Sequence, residues 1–347
     1  MIVAEMGAAH LGDFDRALRI VGAAASAGAM ALKLQTWTTM TVCERRLERG
    51  PWAGTRLTDL YERCRTPWDW HARIFEECRA RGMVAFSTPF DHASVDFLET
   101  LGCPLYKIAS FEITYLDLIR HAASTGKPLI LSTGMATEDE IEQAVDVATE
   151  FGAAGVTLLR CVSAYPAEAA AYNVITMAHM LERFGTRVGL SDHTVGSTTA
   201  VVATALGAEV IERHLSLDQE GPDGGFASTP REFAQMVRDV RAAAAAVGRV
   251  AYGPSIAEVP SMELRRSLWV TRDVAAGEAL TAENMAVLRP GDGLAPERYE
   301  ELLGARVTRD VPRGTPVSMD WVQNALVQNQ NGCDETHQLD SGAPVAP

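Results

Sequence analysis

Eight short apolar runs recur through the first two-thirds of the chain. They are Ile2–Met6, Ala31–Thr36, Met83–Thr88, Pro104–Ser110, Pro128–Thr133, Val156–Ser163, Arg187–His193 and Ala208–His214. The runs are nearly continuous rather than alternating, which is the pattern of strands covered on both faces. Between them the apolar positions take helical spacing. Phe14, Leu18 and Val21 follow Asp13, and Ile141, Val145 and Ala148 follow Thr137. Asp and Thr are residues that cap helix starts. Strands alternating with helices predict a parallel sheet. Eight such units in roughly 220 residues predict a closed (β/α)8 TIM barrel. A doubly wound sheet is the competing reading, but no GxGxxG follows the first run.

The barrel is expected over residues 1–247, ending on a helix at Pro230–Val247. A Gly/Pro-containing linker is expected over 248–260, beginning Gly248-Arg-Val-Ala-Tyr-Gly-Pro. A small β-rich domain is expected over 261–325, with runs at Ser267–Thr271, Val287–Arg289 and Ala305–Thr308. Residues 326–347 are polar, lack periodicity and read as a disordered tail. The connection after the second run is long, from Thr38 to Gly82, and holds Trp52, Trp68 and Trp70. Such a loop is either part of a site or a packed surface excursion.

Composition narrows the classes. With 31 Lys+Arg against 45 Asp+Glu the formal net charge is −14. That field disfavours nucleic acid and anionic membranes as partners. It leaves room for an anionic small molecule held by a few local lysines. No apolar run approaches the roughly 18 residues that span a bilayer. The first residues lack the basic-then-apolar pattern of a secretory signal. The six cysteines form no CxxC pair and read as free thiols. Together these predict a soluble cytoplasmic protein.

Each apolar run turns polar at its C-terminal end. In a barrel those ends converge on one face, where catalytic side chains sit. Asp192-His193 and His214 end adjacent strands seven and eight. Two imidazoles so placed can share a divalent ion or serve separate hydrogen bonds. Glu212 lies on the face of His214 and could back it or pair with a buried base. Lys33 and Lys107 lie within strands two and four, where an ammonium needs an anion. With Ser110, Ser132 and Thr133 nearby they suit a phosphate and a carboxylate; the alternative is internal pairing with Glu5 or Glu112. Glu5 ends strand one, as a base or as a lysine's partner. No Walker loop is present, which argues against a nucleotide.

These stretches resemble the sialic acid synthase family, which makes nine-carbon nonulosonic acids. The matching residues include Ala4-Glu5-Met-Gly-Ala-Ala-His10-Leu-Gly, Leu32-Lys33-Leu-Gln35-Thr36, Tyr106-Lys107-Ile-Ala-Ser110-Phe-Glu112, Leu190-Ser191-Asp192-His193-Thr and Ile211-Glu212-Arg-His214. Arg265-Arg-Ser-Leu268, Leu288-Arg289-Pro-Gly291 and Arg309-Asp-Val-Pro-Arg-Gly314 resemble the family's antifreeze-like (SAF) domain. The resemblance implies condensation of phosphoenolpyruvate with an N-acetylated amino sugar in its open aldehyde form. It implies Mn2+ or Mg2+ on His193 and His214, and Glu5 handling a proton or positioning the sugar. It implies phosphoenolpyruvate on Lys33, Lys107, Ser110 and Ser132, with Gln35, Thr88, Tyr165, Ser191 and Asp223 around the substrates. Arg289 would serve the partner subunit's sugar in a domain-swapped homodimer. Thr66-Pro-Trp-Asp-Trp-His71 and Ser163-Ala-Tyr-Pro166 look most like the pseudaminic acid branch, whose sugar is 2,4-diacetamido-2,4,6-trideoxy-L-altrose. Ala9, Val162 and Gly221–Phe226 depart from the usual pattern near the expected sugar pocket. Neuraminate or legionaminate synthesis is the nearer alternative. A metal-dependent barrel hydrolase built on Asp192, His193 and His214 is the distant one.

Overall fold

The computed structural model describes residues 1–38, 41–50 and 52–323. They divide into two compact units, Met1–Arg249 and the chain from Val250 onward. The first is the expected barrel. Its strands are β1 (Ile2–Glu5), β2 (Ala31–Thr36), β3 (Val84–Pro89), β4 (Tyr106–Ile108), β5 (Leu129–Ser132), β6 (Val156–Cys161), β7 (Arg187–Asp192) and β8 (Val210–His214). They pair in parallel in sequence order, and β8 returns to β1 through Glu5 opposite His214. Seven of the expected runs contain their strands, and β3 extends one residue past its run, to Pro89. β4 is the shortest, because Ser110–Glu112 turns into a 3-10 helix immediately after it.

The outer helices begin where the caps predicted. Asp13 accepts from the Arg16 N–H at the start of α1 (Phe14–Ser26). The connection from β2 to β3 holds α2 (Leu57–Cys64) and α3 (Trp68–Ala80). Next come α4 (His92–Thr100), α5 (Leu116–Ser124) and α6 (Glu138–Glu150), the last opened by a Thr137–Glu140 capping box. Then follow α7 (Thr176–Phe184), α8 (Thr198–Ala205) and α9 (Pro230–Val247), the last with Pro at its first turn and a Thr229–Glu232 box. The core is aliphatic: Ile20, Leu32, Leu34, Ile74, Leu98, Ile108 and Leu118 are fully buried between strands and helices. The described cysteines are free, with Cys78, Cys103 and Cys161 buried. Among the described residues no helix is long and apolar enough to cross a membrane.

The second unit forms its own core of Leu268, Leu280, Met285, Val307, Val311 and Trp321, among others. Its regular sheet is one antiparallel pair, β9 (Ser267–Val270) with β10 (Met285–Leu288). The expected third strand at Ala305–Thr308 is a correction. Arg306 and Val307 make single bridges to Ala279 and Val322, because the chain turns before a ladder can extend. The expected irregular linker is also more ordered: a Ser255–Glu258 capping box opens a 3-10 helix over Ile256–Leu264. The expected tail and Cys333 lie outside the described residues.

Candidate active site

Strand alternation aims Lys33, Lys107, Ser191, Glu212 and His214 into the barrel at its C-terminal end. All are buried or nearly so. Glu212 is central. Its Oε1 lies 3.7 Å from Lys33 Nζ and 3.5 Å from Lys107 Nζ, and it accepts from Ser191 Oγ at 3.2 Å. Lys33 also sits 2.5 Å from Glu5 Oε2 and donates to Thr88 Oγ1 at 3.1 Å. Glu5 Oε1 accepts from the Gly7 N–H and from Gln35 Nε2. So both lysines are internally paired, and the shared partner is Glu212 rather than Glu112.

The charges in this floor follow from burial and pairing. Burial disfavours the Lys33 ammonium, but Glu212 and Glu5 outweigh it and hold the group protonated beyond its usual range. Lys107 has Glu212 yet faces the Lys33 charge, and burial draws it below its usual range. Burial opposes the Glu212 carboxylate too, but Lys107 and Lys33 bring it well below the usual carboxylate range. Burial lifts the Glu112 carboxyl to about 7, with Lys107 and Lys33 opposing.

The imidazoles stand above the floor with ring centres 5.5 Å apart. His193 Nδ1 donates to the Val162 carbonyl at 2.8 Å. That carbonyl is acceptor-only, so the lone pair of a neutral His193 is on Nε2. His214 Nδ1 lies 3.2 Å from Asp223 Oδ2, which fixes its tautomer the same way. Asp223 is held in turn by the Ala8 N–H at 2.9 Å. Gly7 makes this possible: its φ is +47°, and a Cβ there would run into the Asp223 carboxylate. Fully buried Tyr172 donates to the Ser191 carbonyl and accepts from the His193 N–H, fixing the end of β7.

Two paired Nε2 atoms fit one end of a divalent ion's coordination shell, leaving other positions to water or substrate. Among the described residues no set of three or more His, Cys, Asp or Glu side chains is arranged as a ready cage. Asp192 takes no part. It points to the other face of β7, accepts from Thr194 and lies 3.2 Å from Arg213. The hydrolase alternative thereby loses its carboxylate.

A cavity of about 160 Å³ opens over these groups. Lys33, Gln35, Lys107, Ser110, Ser132, Tyr165, Ser191, His193, His214 and Asp223 all line it. Glu5 and Thr88 do not; both contact Lys33, which does. Arg289 belongs to the second unit, where its Nε donates to the Leu264 carbonyl at 2.7 Å. Between β4 and β6 the hydroxyls of Ser132 and Ser163 are buried without partners. Gly134 keeps this hollow open, since a Cβ there would meet Ser163 Oγ and Ser110 Oγ. Unpaired hydroxyls beside Lys107 are what a bound anion would satisfy.

Sequence reasoning passed over Ser163, Tyr172, Cys161 and most of the aromatic lining. Burial pushes the Cys161 thiol up, but His193, Ser110 and Lys107 together draw it down to about 7. The long connection divides. Trp52, Leu60 and Tyr61 reach the cavity, whereas Trp68 stacks on Phe97 at 4.3 Å and Trp70 packs against Phe14. Of the departures, Val162 acts through its backbone carbonyl, so its side-chain identity is not what orients His193.

The chain is similar along most of its length to known synthases. It is 40% identical over 337 residues to a pseudaminic acid synthase of Helicobacter pylori, covering 94% of this chain and 98% of that protein. It is 33% identical to an N,N'-diacetyllegionaminic acid synthase of Legionella pneumophila, covering 93% and 94%. The crystal structure of an N-acetylneuraminic acid (sialic acid) synthetase from Leptospira borgpetersenii, in complex with citrate, matches at 30% identity with a TM-score of 0.67, covering 76% of this chain and 90% of that one. The NeuB family model matches residues 20–252 and the SAF domain model residues 265–322. The chain belongs to the NeuB family and carries a SAF domain after its barrel.

Proposed function

We propose that this protein condenses phosphoenolpyruvate with 2,4-diacetamido-2,4,6-trideoxy-L-altrose to give pseudaminic acid and phosphate. The observation that carries the reading is the juxtaposition of an anion floor with two imidazoles whose Nε2 lone pairs are free. Lys107, Ser110, Ser132 and Ser163 offer donors for the phosphate and carboxylate. Lys33 reaches the same ligand from β2. The similarity to pseudaminic acid synthases supports the choice of sugar.

C3 of phosphoenolpyruvate bonds to the aldehyde carbon, water supplies the new oxygen at C2, and phosphate departs with its bridging oxygen. His193 and His214 would hold Mn2+ or Mg2+, whose chemistry is to polarise the aldehyde as a Lewis acid. The lysines stabilise the negative charge of the phosphate as it leaves. Glu5, paired with Lys33 and accepting from Gln35, positions both side chains for the substrates. Asp223 keeps His214 oriented. The proposal includes a cytoplasmic homodimer in which Arg289 serves the sugar's acetamido group in the partner's site.

The test is phosphate release from phosphoenolpyruvate with Mn2+ across a panel of amino sugars. Release with the diacetamido-L-altrose sugar is the expected result. Release with N-acetylmannosamine alone would move the protein to the neuraminate branch, and release with none would overturn the synthase reading.

A further inference from the structure

The cavity has a second side that the chemistry above does not use. α2 inserts between β2 and α3 and presents Leu60, Tyr61 and Cys64 on one helical face. Trp37, one step beyond β2, and Phe90, one step beyond β3, complete this side. The rings support one another, with centres 5.3 Å apart for Trp37–Tyr61 and 5.1 Å for Trp37–Phe90. Trp37, Leu60 and Phe90 are almost fully buried, yet all five residues face the cavity. Every charged residue in the lining stands elsewhere, on the floor or beside β8. Burial pushes the Tyr61 phenol and the Cys64 thiol up to about 12 each, so both stay neutral.

In the closed strand order β3 lies four strands from β7, so this wall stands across the mouth from His193. We infer that the wall of Trp37, Leu60, Tyr61, Cys64 and Phe90 selects the far end of the sugar, accepting a carbon without its hydroxyl and disfavouring the hydroxylated counterpart. The inference rests on the synthase reading. An extended chain with its aldehyde at the imidazoles points its terminal carbon toward the wall. A methyl group there is covered by ring and aliphatic carbon, whereas a hydroxyl gives up water for only the Tyr61 phenol and the weak Cys64 thiol as partners. Apolar pockets reject an added hydroxyl by roughly 100-fold.

The experiment compares kcat/KM for 2,4-diacetamido-2,4,6-trideoxy-L-altrose and for the same sugar bearing a 6-hydroxyl, with phosphate release as readout. The intact enzyme should favour the methyl-ended sugar by roughly 100-fold. Leu60→Gln should cut that ratio by about tenfold, chiefly by lowering KM for the hydroxyl-ended sugar. Cys64→Ser, nearly isosteric, makes the same test if the larger change unfolds the helix. Phe90→Leu keeps the wall apolar and should hold the ratio within about twofold. Equal use of both sugars by the intact enzyme, or an unmoved ratio in folded Leu60→Gln and Cys64→Ser, overturns the wall assignment and leaves the synthase reading standing. Release with neither sugar overturns the choice of the diacetamido-L-altrose as substrate, and the wall assignment falls with it.

Discussion

The floor of the cavity and its α2 wall solve opposite problems. The floor buries two ammonium groups and two carboxylates, each needing the others: Lys33 with Glu5 and Glu212, Lys107 with Glu212. Behind β2 the wall is backed by neutral polar groups. Behind it His71 contacts Thr36 Oγ1 at 2.8 Å and the Pro67 carbonyl at 3.0 Å, and Thr36 meets Ser87 at 2.6 Å. In the cavity lining, charge is kept to the floor and the β8 side, while the wall offers shape. Changes to the floor should therefore strike turnover, and changes near the wall should strike choice of substrate or stability.

The sharpest break comes at the imidazoles. His214→Ala should abolish metal-dependent phosphate release while the circular dichroism spectrum stays that of the folded barrel; activity that survives both this change and chelation would remove the metal from the scheme. Next, Lys107→Met should lower kcat/KM by roughly 10²–10³-fold, the usual cost of deleting one preorganised electrostatic group. Melting should also show a loss, since Glu212 keeps only Lys33 as cationic partner.

Acid should separate the two sides. Burial pushes His71 down to about 4, with hydrogen bonding at Pro67 and Trp68 opposing. Its folded pKa is below the unfolded value near 6.5, so the unfolded chain binds the proton first. Its contribution is therefore intact above about pH 6.5 and is lost as pH falls toward 4. By pH 5 the loss is roughly 2 kcal/mol. Glu212, held low, stays ionised over that range. Glu112, lifted to about 7, is relieved by about as much over the same range, so denaturant titrations at pH 7 and pH 5 should read the His71 loss as the difference between the intact protein and His71→Asn. The smallest effect is expected from Arg289→Ala, about tenfold in KM for the sugar with KM for phosphoenolpyruvate unchanged. A change confined to phosphoenolpyruvate would place Arg289 elsewhere.

The two sides also differed in legibility. Lys33, Lys107 and Glu212 stand out because charged residues interrupt apolar strands, and period-two alternation says which way they point. Glu212's true partners did not follow from spacing, because they come from strands far apart in sequence. The wall was invisible for the converse reason: Trp37, Leu60 and Phe90 are the residues any core uses, and nothing local marks a cavity on their far side. Asp223 needed the family resemblance, since its reach to His214 depends on Gly7 over 200 positions away. In the second unit the cores form through single bridges and turns, which carry no periodicity to read.

The alternation on β8 has a consequence for how the barrel closes. Glu212 points inward beside the lysines, Arg213 outward to Asp192, and His214 inward beside Glu5. A slip of one residue would turn Arg213 inward onto two ammonium groups and send Glu212 to face the helices, where Asp192 would repel it. The same charges that serve substrate thus give the last strand a single address on the ring. A barrel joined one residue out of register is penalised at this seam by its own buried charges, with or without a ligand.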